Sequence, residues 1–413
     1  MTATHDSARR TAKRLPATPM AGLIISGVLL AALNLRTAVT SVGPVLSEIQ
    51  DGLGMSAAIA GVLTTLPVIC FAVMGGVTPA LVRRFGDRAV LLVALGATAT
   101  GLILRAGIES VPVFLLASTA ALAGGAIGNV AIPTIVKHHF PDRVGALTMT
   151  YSTSLALGSM LAASFTVPLE QLAGGSWQWA LGLWAVPAII AMVPWLFLTT
   201  RGDARRRATG ANKPIRGITR SKLGWMMLIA FGSQSLIAYV MFGWLPEIMR
   251  DHGFSAAQAG VMLGVFTAIG VPVALITPIL ATRRPNQRAL MVFLVSGYFV
   301  GMPALWLGGQ SWVSWAGLVF TAISMGTFPL MLTLFVLRTR TAGGTAALSA
   351  FAQSGGYLMS GVGPILVGVL YEVTGDWTAP FCILLGSAVV HLFSSWTTTS
   401  DRYLEDELAA KAG

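Results

Sequence analysis

One arginine, Arg36, lies near the middle of the first long apolar segment of the sequence, between about Met20 and Val45. A guanidinium at the centre of a bilayer costs about 2.5–3.5 kcal/mol on insertion scales, so such a residue usually has a function. On a continuous helix, Arg36 and Thr40 would lie on one face with Leu33 and Thr37 flanking it, and this polar stripe could line an aqueous cavity. The alternative is that Arg36 pairs with a buried carbonyl or carboxylate and only holds helices together. The apolar segments offer no acidic partner, which favours the cavity.

The composition around this arginine is that of a membrane protein. The 413 residues are 54% hydrophobic and 10% charged, and the mean hydropathy is +0.74. These values lie outside the range of soluble globular proteins. The net charge of +11 does not indicate a nucleic-acid partner, because the basic residues fall in short clusters between apolar runs. Cys70 and Cys382 both lie within apolar segments, and we interpret them as packing residues.

Twelve apolar segments are long enough to cross a bilayer. The first six lie at about 20–45, 56–82, 88–108, 111–137, 143–170 and 176–199. The second six lie at about 223–247, 255–281, 288–308, 311–337, 343–371 and 378–397. The sequence therefore predicts an all-α integral membrane protein with five parts: a tail at 1–19, a six-helix bundle at 20–199, a basic linker at 200–222, a second bundle at 223–397 and a tail at 398–413.

The charges of the connecting segments alternate along the chain. All 27 Lys and Arg residues except Arg36, Arg105 and Arg250 fall in the two tails or in every second connection. The other connections hold carboxylates: Glu48, Asp51, Glu109, Glu170, Glu247, Asp251, Glu372 and Asp376. By the positive-inside rule, this alternation predicts that both termini lie in the cytoplasm.

An internal repeat relates the two sets of six segments. Residues 54–62 match residues 253–261 at seven of nine positions, and the offset of 199 recurs elsewhere in the chain. Because each set has six helices, the two copies have the same orientation and are related by an axis along the membrane normal. Two such bundles facing one another, with a solute site near the midplane, form the arrangement that alternating access requires. The sequence therefore predicts a transporter.

Three groups of motifs carry a resemblance to a known family. They are Asn34-Leu35-Arg36 with Thr40-Ser41-Val42-Gly43-Pro44, Gln234-Ser235 with Tyr239 and Trp244-Leu245-Pro246, and 352–358 followed by Gly363-Pro364 and Thr374-Gly375-Asp376-Trp377. With these motifs the chain resembles the major facilitator superfamily, and within it the bacterial cyanate and 2-nitroimidazole transporters (the CynX/NimT family). The resemblance implies a twelve-helix secondary transporter of a small solute in the bacterial inner membrane. One departure from the wider superfamily is Arg83, which stands where the second loop usually carries an acidic residue.

In the superfamily, helices one, four, seven and ten line the central cavity with parts of the others. The resemblance therefore implies a substrate-binding set on helices one, four, seven and eleven: Asn34, Arg36, Thr37, Thr40, Asn129, Gln234, Tyr239, Gln353 and Tyr357. For each residue the alternative is a hydrogen bond between helices, worth about 0.6 kcal/mol on average. That alternative stays open for Asn129 and Gln234. For Tyr239 and Tyr357, a phenol that offers both a stacking face and a hydroxyl favours ligand contact.

The positions of the acidic residues, all outside the interiors of the predicted spans, limit how transport could be coupled to a proton. No Asp or Glu lies in the interior of a predicted span, and Arg36 cannot release its proton at working pH. We therefore expect an anionic or strongly dipolar solute to balance the charge of Arg36. Any coupling proton would travel on the solute or through a Tyr or His side chain.

Other functions remain as alternatives to the transport of a small anion or polar nitrogen compound. An exporter of heterocyclic drugs would suit the 11 Trp, 18 Phe and 17 Met residues. A receptor or assembly partner would need an extra soluble domain or a long structured loop, which the sequence lacks. An enzyme is not expected, because there is no nucleophile with a base, no metal-ligand cluster and no nucleotide-binding motif. The sequence predicts no cofactor and a monomer, because each chain contains both halves of the path.

Overall fold

The computed structural model describes residues 19–140, 143–198, 217–283 and 286–410, which contain seventeen α-helices. The helices of the N-terminal half are α1 (Pro19–Asn34), α2 (Thr37–Thr40), α3 (Leu46–Leu53), α4 (Ala57–Arg105), α5 (Val111–His139), α6 (Val144–Leu172), α7 (Trp177–Leu183) and α8 (Ala185–Phe197). Those of the C-terminal half are α9 (Lys222–Asp251), α10 (Ala256–Thr282), α11 (Arg288–Leu307), α12 (Trp312–Ser324), α13 (Thr327–Leu337), α14 (Ala342–Ser360), α15 (Val362–Thr374), α16 (Thr378–Thr398) and α17 (Leu404–Ala410).

Twelve stretches of these helices are long and apolar enough to cross a membrane, and we number them as spans in chain order. Span one, Met20–Leu53, covers α1 to α3, and α4 contains spans two and three. Near the start of span three α4 is kinked at Gly86, whose φ of 82° and ψ of 163° are tolerated essentially only by glycine. Spans six, ten and eleven are each divided between two consecutive helices. The predicted all-α fold with twelve spans is confirmed.

The two copies of the sequence repeat have the same local structure. Ser56 and Ser255 are the N-caps of α4 and α10, and each accepts a hydrogen bond from the amide three residues further on, at 3.3 and 3.2 Å. Gly54 and Gly253 precede them with φ of 63° and 94°. A glycine in this conformation commonly follows the last turn of a helix. The duplication seen in the sequence is therefore also a structural one.

The predicted tails and linker are described only in part. Residues 1–18 and 199–216 lie outside the described residues, and the tail predicted at 398–413 contains the helix α17. Glu407 of α17 accepts hydrogen bonds from the hydroxyl of Ser221 and the amide of Leu223, both at 3.1 Å, where α9 begins. α17 therefore caps the first turn of span seven with a carboxylate.

The neighbouring acidic residues of α17 bind the segment before α14. Arg340 donates to both carboxylate oxygens of Asp406, at 2.9 and 2.8 Å, and this lowers the pKa of Asp406. Burial opposes the ionisation of Glu405. The Arg340 amide and the amide and hydroxyl of Thr341 outweigh it through hydrogen bonds of 2.9–3.0 Å, so the pKa of Glu405 is lowered. α17 thus links the beginnings of spans seven and eleven.

The two ends of the helical bundle differ in charge. We call the end that carries Glu48, Glu247 and Glu372 the acidic end, and the end that carries Arg88 and Arg338 the basic end. The sequence predicted these carboxylates in loops, but they lie in helices: Glu48 in α3, Glu247 in α9 and Glu372 in α15. The helices continue past the apolar segments into polar terminal turns, so helix ends predicted from hydropathy alone come too early in the sequence.

Polar contacts between the two halves occur at the acidic end. Arg250 forms an ion pair with Glu48 at 2.9 Å, and the Ser47 hydroxyl donates to the carboxylate of Glu247 at 2.6 and 2.9 Å. The carboxylate of Glu372 accepts from the first turn of α4 at 2.8 Å. The largest apolar cluster also crosses here, because it joins residues of span one to residues of span seven.

Glycines allow the two halves to approach closely in the same region. A Cβ added to Gly61 would lie 2.7 Å from the Cα of Ile365, and one added to Gly260 would lie 2.6 Å from the carbonyl oxygen of Ala163. Nearer the basic end of the same helices, a Cβ at Gly76 of α4 or Gly270 of α10 would meet nothing within 4 Å. The halves are therefore in close contact at the acidic end, whereas these two glycines nearer the basic end have no neighbour against them.

Candidate substrate site

Span one is interrupted at the residue that the sequence singled out. α1 ends at Asn34 and α2 begins at Thr37, and Arg36 has φ −124° and ψ 0°, outside the helical range. The hydroxyl of Thr37 donates to the carbonyl of Asn34, and that of Thr40 to the carbonyl of Arg36, both at 3.1 Å. Such hydrogen bonds compete with helical ones. The prediction of a continuous polar stripe on span one is therefore wrong: the threonine hydroxyls bind carbonyls at the break.

The guanidinium of Arg36 lies between the two halves. Its Cζ is 5.6 Å from the ring centroid of Phe242, which belongs to α9 of the C-terminal half. A cation–π contact of this kind contributes about 0.5–2 kcal/mol. The side chain is partly exposed, and none of the ion pairs between described residues includes it. Arg36 thus presents a positive charge at the interface of the halves with an aromatic ring against it.

A row of aromatic side chains continues from Phe242. Its ring centroid is 6.3 Å from that of Tyr239, which is 6.2 Å from that of Tyr357, and Tyr357 lies 5.0 Å from Phe231. All three contacts are edge-to-face, the arrangement that aromatic pairs favour. We call these four residues the aromatic row; with Arg36 they bring together three of the predicted site residues.

Two of the predicted site residues, Asn34 and Gln234, do not join the aromatic row and face the interior of their own bundles. Asn34 donates from Nδ2 to the carbonyls of Leu30 and Pro187, at 2.8 and 3.2 Å, and it is buried. Gln234 is also buried, with Met325 and Ser235 as its hydrogen-bond partners. Both side chains therefore make the helix-to-helix contacts that were the alternative to ligand binding.

The remaining two predicted residues stay partly exposed. Gln353 donates from Nε2 to the hydroxyl of Ser349, one turn earlier on α14. Asn129 lies on α5 directly after Gly128, where a Cβ would be 2.5 Å from the side chain of Leu35. α5 therefore packs against the break in span one, so Asn129 lies beside it. These two amides remain candidates for solute contact.

The sequence analysis missed a second arginine, Arg105, at the end of span three. Its side chain has 0% of its surface exposed, and both terminal nitrogens donate to the carbonyl of Ala38, at 3.3 and 3.1 Å. A cavity of about 20 Å³ is lined by Arg105, by Tyr239 and Phe242 of the aromatic row, and by Thr64 among mostly apolar neighbours. The signal in the sequence was that Arg105 falls outside the basic connections.

The described residues contain no group of three or more His, Cys, Asp or Glu side chains that could hold a metal ion. What the arrangement can do is bind: Arg36 supplies charge, the tyrosines supply hydroxyls and stacking faces, and the surrounding spans supply an apolar wall. This combination suits a small polar or anionic molecule between two helical bundles.

A family model described as the major facilitator superfamily matches residues 28–361. With twelve spans and most of its length matched, the chain belongs to the major facilitator superfamily, whose members are transporters and not enzymes.

The chain is similar over nearly its whole length to several bacterial transporters. It is 36% identical to an uncharacterized transporter, YycB, of Bacillus subtilis, covering 92% of this chain and 94% of that protein. It is 34% identical to the 2-nitroimidazole transporter of Escherichia coli, covering 90% and 93%, and 30% identical to the cyanate transport protein CynX of Escherichia coli, covering 88% and 95%. These matches confirm the resemblance to the cyanate and 2-nitroimidazole transporters.

Solved structures have the same fold at low sequence identity. The nucleoside transporter NupG superposes with a TM-score of 0.76 at 15% identity, covering 92% of this chain and all of that one (100%). The inward-open xylose transporter XylE of Escherichia coli gives 0.74 at 14% identity, covering 94% and 98%. The architecture of two six-helix bundles is therefore that of the superfamily.

Proposed function

We propose that the protein moves a small polar or anionic solute, cyanate-like or nitrogen-containing, across the bacterial cell membrane, with Arg36 as the charged group of the binding site. The observation that carries this proposal is the position of Arg36: at the break in span one, against a ring of the opposite half, and in none of the ion pairs between described residues. A guanidinium offers several parallel N–H donors, which match the oxygens or nitrogens of a small anion.

We further propose that transport proceeds by alternating access. Supporting it are the two repeated halves, which meet at the acidic end through Arg250–Glu48 and Ser47–Glu247, whereas Gly76 and Gly270 nearer the basic end meet no neighbour. Those contacts would have to separate when the acidic end opens. The charge alternation of the connections supports a location in the inner membrane with both termini, and so the basic end, in the cytoplasm.

The test is transport into proteoliposomes by wild type and by Arg36 variants. A panel of labelled small anions, with cyanate first, and neutral azoles would be followed by uptake and counterflow. We expect anion transport to be lost in Arg36→Ala and partly restored in Arg36→Lys, since an ammonium keeps the charge but not the fork of donors. Arg283→Ala, at an exposed position of the basic end, is the matched control and should transport normally. Undiminished anion transport in both Arg36 variants would refute the proposal.

A second candidate function is the export of heterocyclic compounds such as nitroimidazoles. The observation in its favour is the aromatic row, which offers stacking faces beside Arg36. If an azole is the solute, Tyr239→Leu and Tyr357→Leu should abolish azole counterflow, whereas Arg36→Ala should reduce it little. The opposite pattern favours the anion.

The solute rather than a carboxylate is proposed to balance the charge of Arg36. The carboxylates that approach the interface of the halves, Glu48, Glu247 and Glu372, are at the acidic end and take part in contacts there. We therefore propose that any coupling proton travels on the solute or through the tyrosines of the aromatic row. The working unit is proposed to be a monomer, because one chain contains both halves.

A further inference from the structure

Arg105 has an unusual set of partners for a fully buried charge. Its two terminal nitrogens converge on one acceptor, the carbonyl of Ala38. That carbonyl is available because span one is irregular here: the amide of Val42, which would bind it in a continuous helix, donates to Val39 at 3.4 Å instead. Arg105 therefore satisfies a carbonyl that the break in span one leaves open.

The hydrogen bonds to the Ala38 carbonyl do not by themselves explain why the residue is a charged arginine. A guanidinium has five N–H donors, and the buried Nε of Arg105 has no hydrogen-bond partner. None of the ion pairs between described residues includes Arg105, and besides the Ala38 carbonyl its Cζ has the ring of Phe114 at 5.9 Å. Burying an uncompensated charge costs several kcal/mol. A glutamine could donate to the Ala38 carbonyl without that cost, so the charge itself needs another explanation.

The cavity beside Arg105 provides the missing place for a counter-ion. Its volume of about 20 Å³ has room for one or two water-sized particles, and its other walls are mostly apolar. Tyr239 and Phe242 also line the cavity, and the ring of Phe242 in addition contacts the guanidinium of Arg36. Phe242 is therefore common to both arginines, but Arg105 lines this cavity and Arg36 does not.

We infer that this cavity is a second anion subsite, in which Arg105 binds one small monovalent inorganic anion, a halide or a short linear species. The anion accepts a hydrogen bond from the unpartnered Nε and neutralises the guanidinium, while the apolar walls exclude larger or multiply charged species. The subsite does not depend on Arg36 and goes beyond the transport function proposed above. It assigns Arg105 a ligand that balances its charge when the acidic end is closed.

The experiment uses bromide as the probe and Arg36→Gln as the parent, so that any anion binding at Arg36 is removed. The midpoint of thermal unfolding of the full chain is measured against sodium bromide, with sodium gluconate keeping the ionic strength constant, and the rise gives an apparent dissociation constant. We expect saturable stabilisation in Arg36→Gln, and at least about tenfold weaker affinity after adding Arg105→Gln. Adding Arg283→Gln instead is the control for loss of a surface charge and should leave the affinity unchanged.

A second measurement covers the case in which the Arg105 variant does not fold. Crystals of the wild-type protein soaked in bromide should show an anomalous peak within hydrogen-bonding distance of Arg105 Nε. Absence of that peak at saturating bromide would overturn the inference. So would equal bromide affinity in Arg36→Gln with and without Arg105→Gln, because the anion would then bind elsewhere.

Discussion

The ion pair between Arg250 and Glu48 gives a quantitative prediction about the conformational equilibrium. It joins the two halves at the acidic end with an N–O distance of 2.9 Å, and its side chains are 24% and 27% exposed. Exposed pairs contribute about 0.2–1 kcal/mol, and breaking a buried pair costs about 3–5 kcal/mol. A pair about three quarters buried, with other carboxylates near Arg250, should contribute about 1–2 kcal/mol to the closed acidic end. Glu48→Gln should therefore shift the equilibrium toward an open acidic end by about 5- to 30-fold.

The assay is a distance distribution between spin labels on the two halves. In a background of Cys70→Ala and Cys382→Ser, labels at Leu172→Cys and Val373→Cys would lie at the acidic end, where the native side chains are 86% and 78% exposed. Glu48→Gln should increase the population at long distance.

The matched control is Asp406→Asn, which breaks a 2.8 Å ion pair with Arg340 inside the C-terminal half and should leave the distribution unchanged. A Glu48→Gln distribution that coincides with the wild-type one would refute the reasoning, because the pair would then not hold the acidic end closed.

Three further predictions concern the packing and the capping helix. Gly61→Leu should keep the acidic end open in the same assay, because a Cβ there would lie 2.7 Å from a backbone carbon of span eleven. The control is Gly22→Leu, because a Cβ at Gly22 would meet nothing within 4 Å. Equal distance distributions in the two variants would contradict the prediction. Glu407→Ala should lower the stability of the protein by about 1 kcal/mol, because the amides at the start of α9 lose their cap; an unchanged thermal midpoint would contradict this. Because the pKa of Glu405 is lowered in the folded protein, its stabilising contribution is present above its ordinary pKa of 4.5 and is lost as the pH falls through the folded value. Glu405→Gln should therefore be less stable than wild type near about pH 7 and equally stable in acid, and a stability gap that does not depend on pH would refute the assignment.

The fold could be predicted from the sequence because hydropathy, charge and repetition all point to it. Apolar length gives the twelve spans, and the repeat of residues 54–62 at 253–261 gives two copies of one orientation. What hydropathy does not give is where a helix bends or ends. The break at Arg36 and the extension of α9 to Asp251 depend on hydrogen bonds that the sequence pattern does not display.

The site could be predicted only in part, for a similar reason. Arg36, Tyr239 and Tyr357 come together, but Asn34 and Gln234 turn into their own bundles, because a helix that lines a cavity also has faces against its neighbours. A polar residue in a span can lie on either face, and only packing decides which.

Arg105 was missed because it stands at the end of a predicted span, where a basic residue normally reaches solvent. In the structure, span three ends inside the protein, against the irregular part of span one. Its role follows from a contact between two distant segments, and no local pattern reports that.

The central claim is that Arg36 lies in a cavity that the solute occupies and that opens to one side at a time. Its most direct test is the reaction of Phe242→Cys, which keeps Arg36 and lies against its guanidinium. In the background of Cys70→Ala and Cys382→Ser, a membrane-impermeant, positively charged methanethiosulfonate is applied to either side of oriented vesicles. With the acidic end closed, we predict rapid reaction from the basic end, slow reaction from the acidic end, and protection by cyanate. No reaction from either side, or a rate from the basic end that cyanate does not change, would contradict the account.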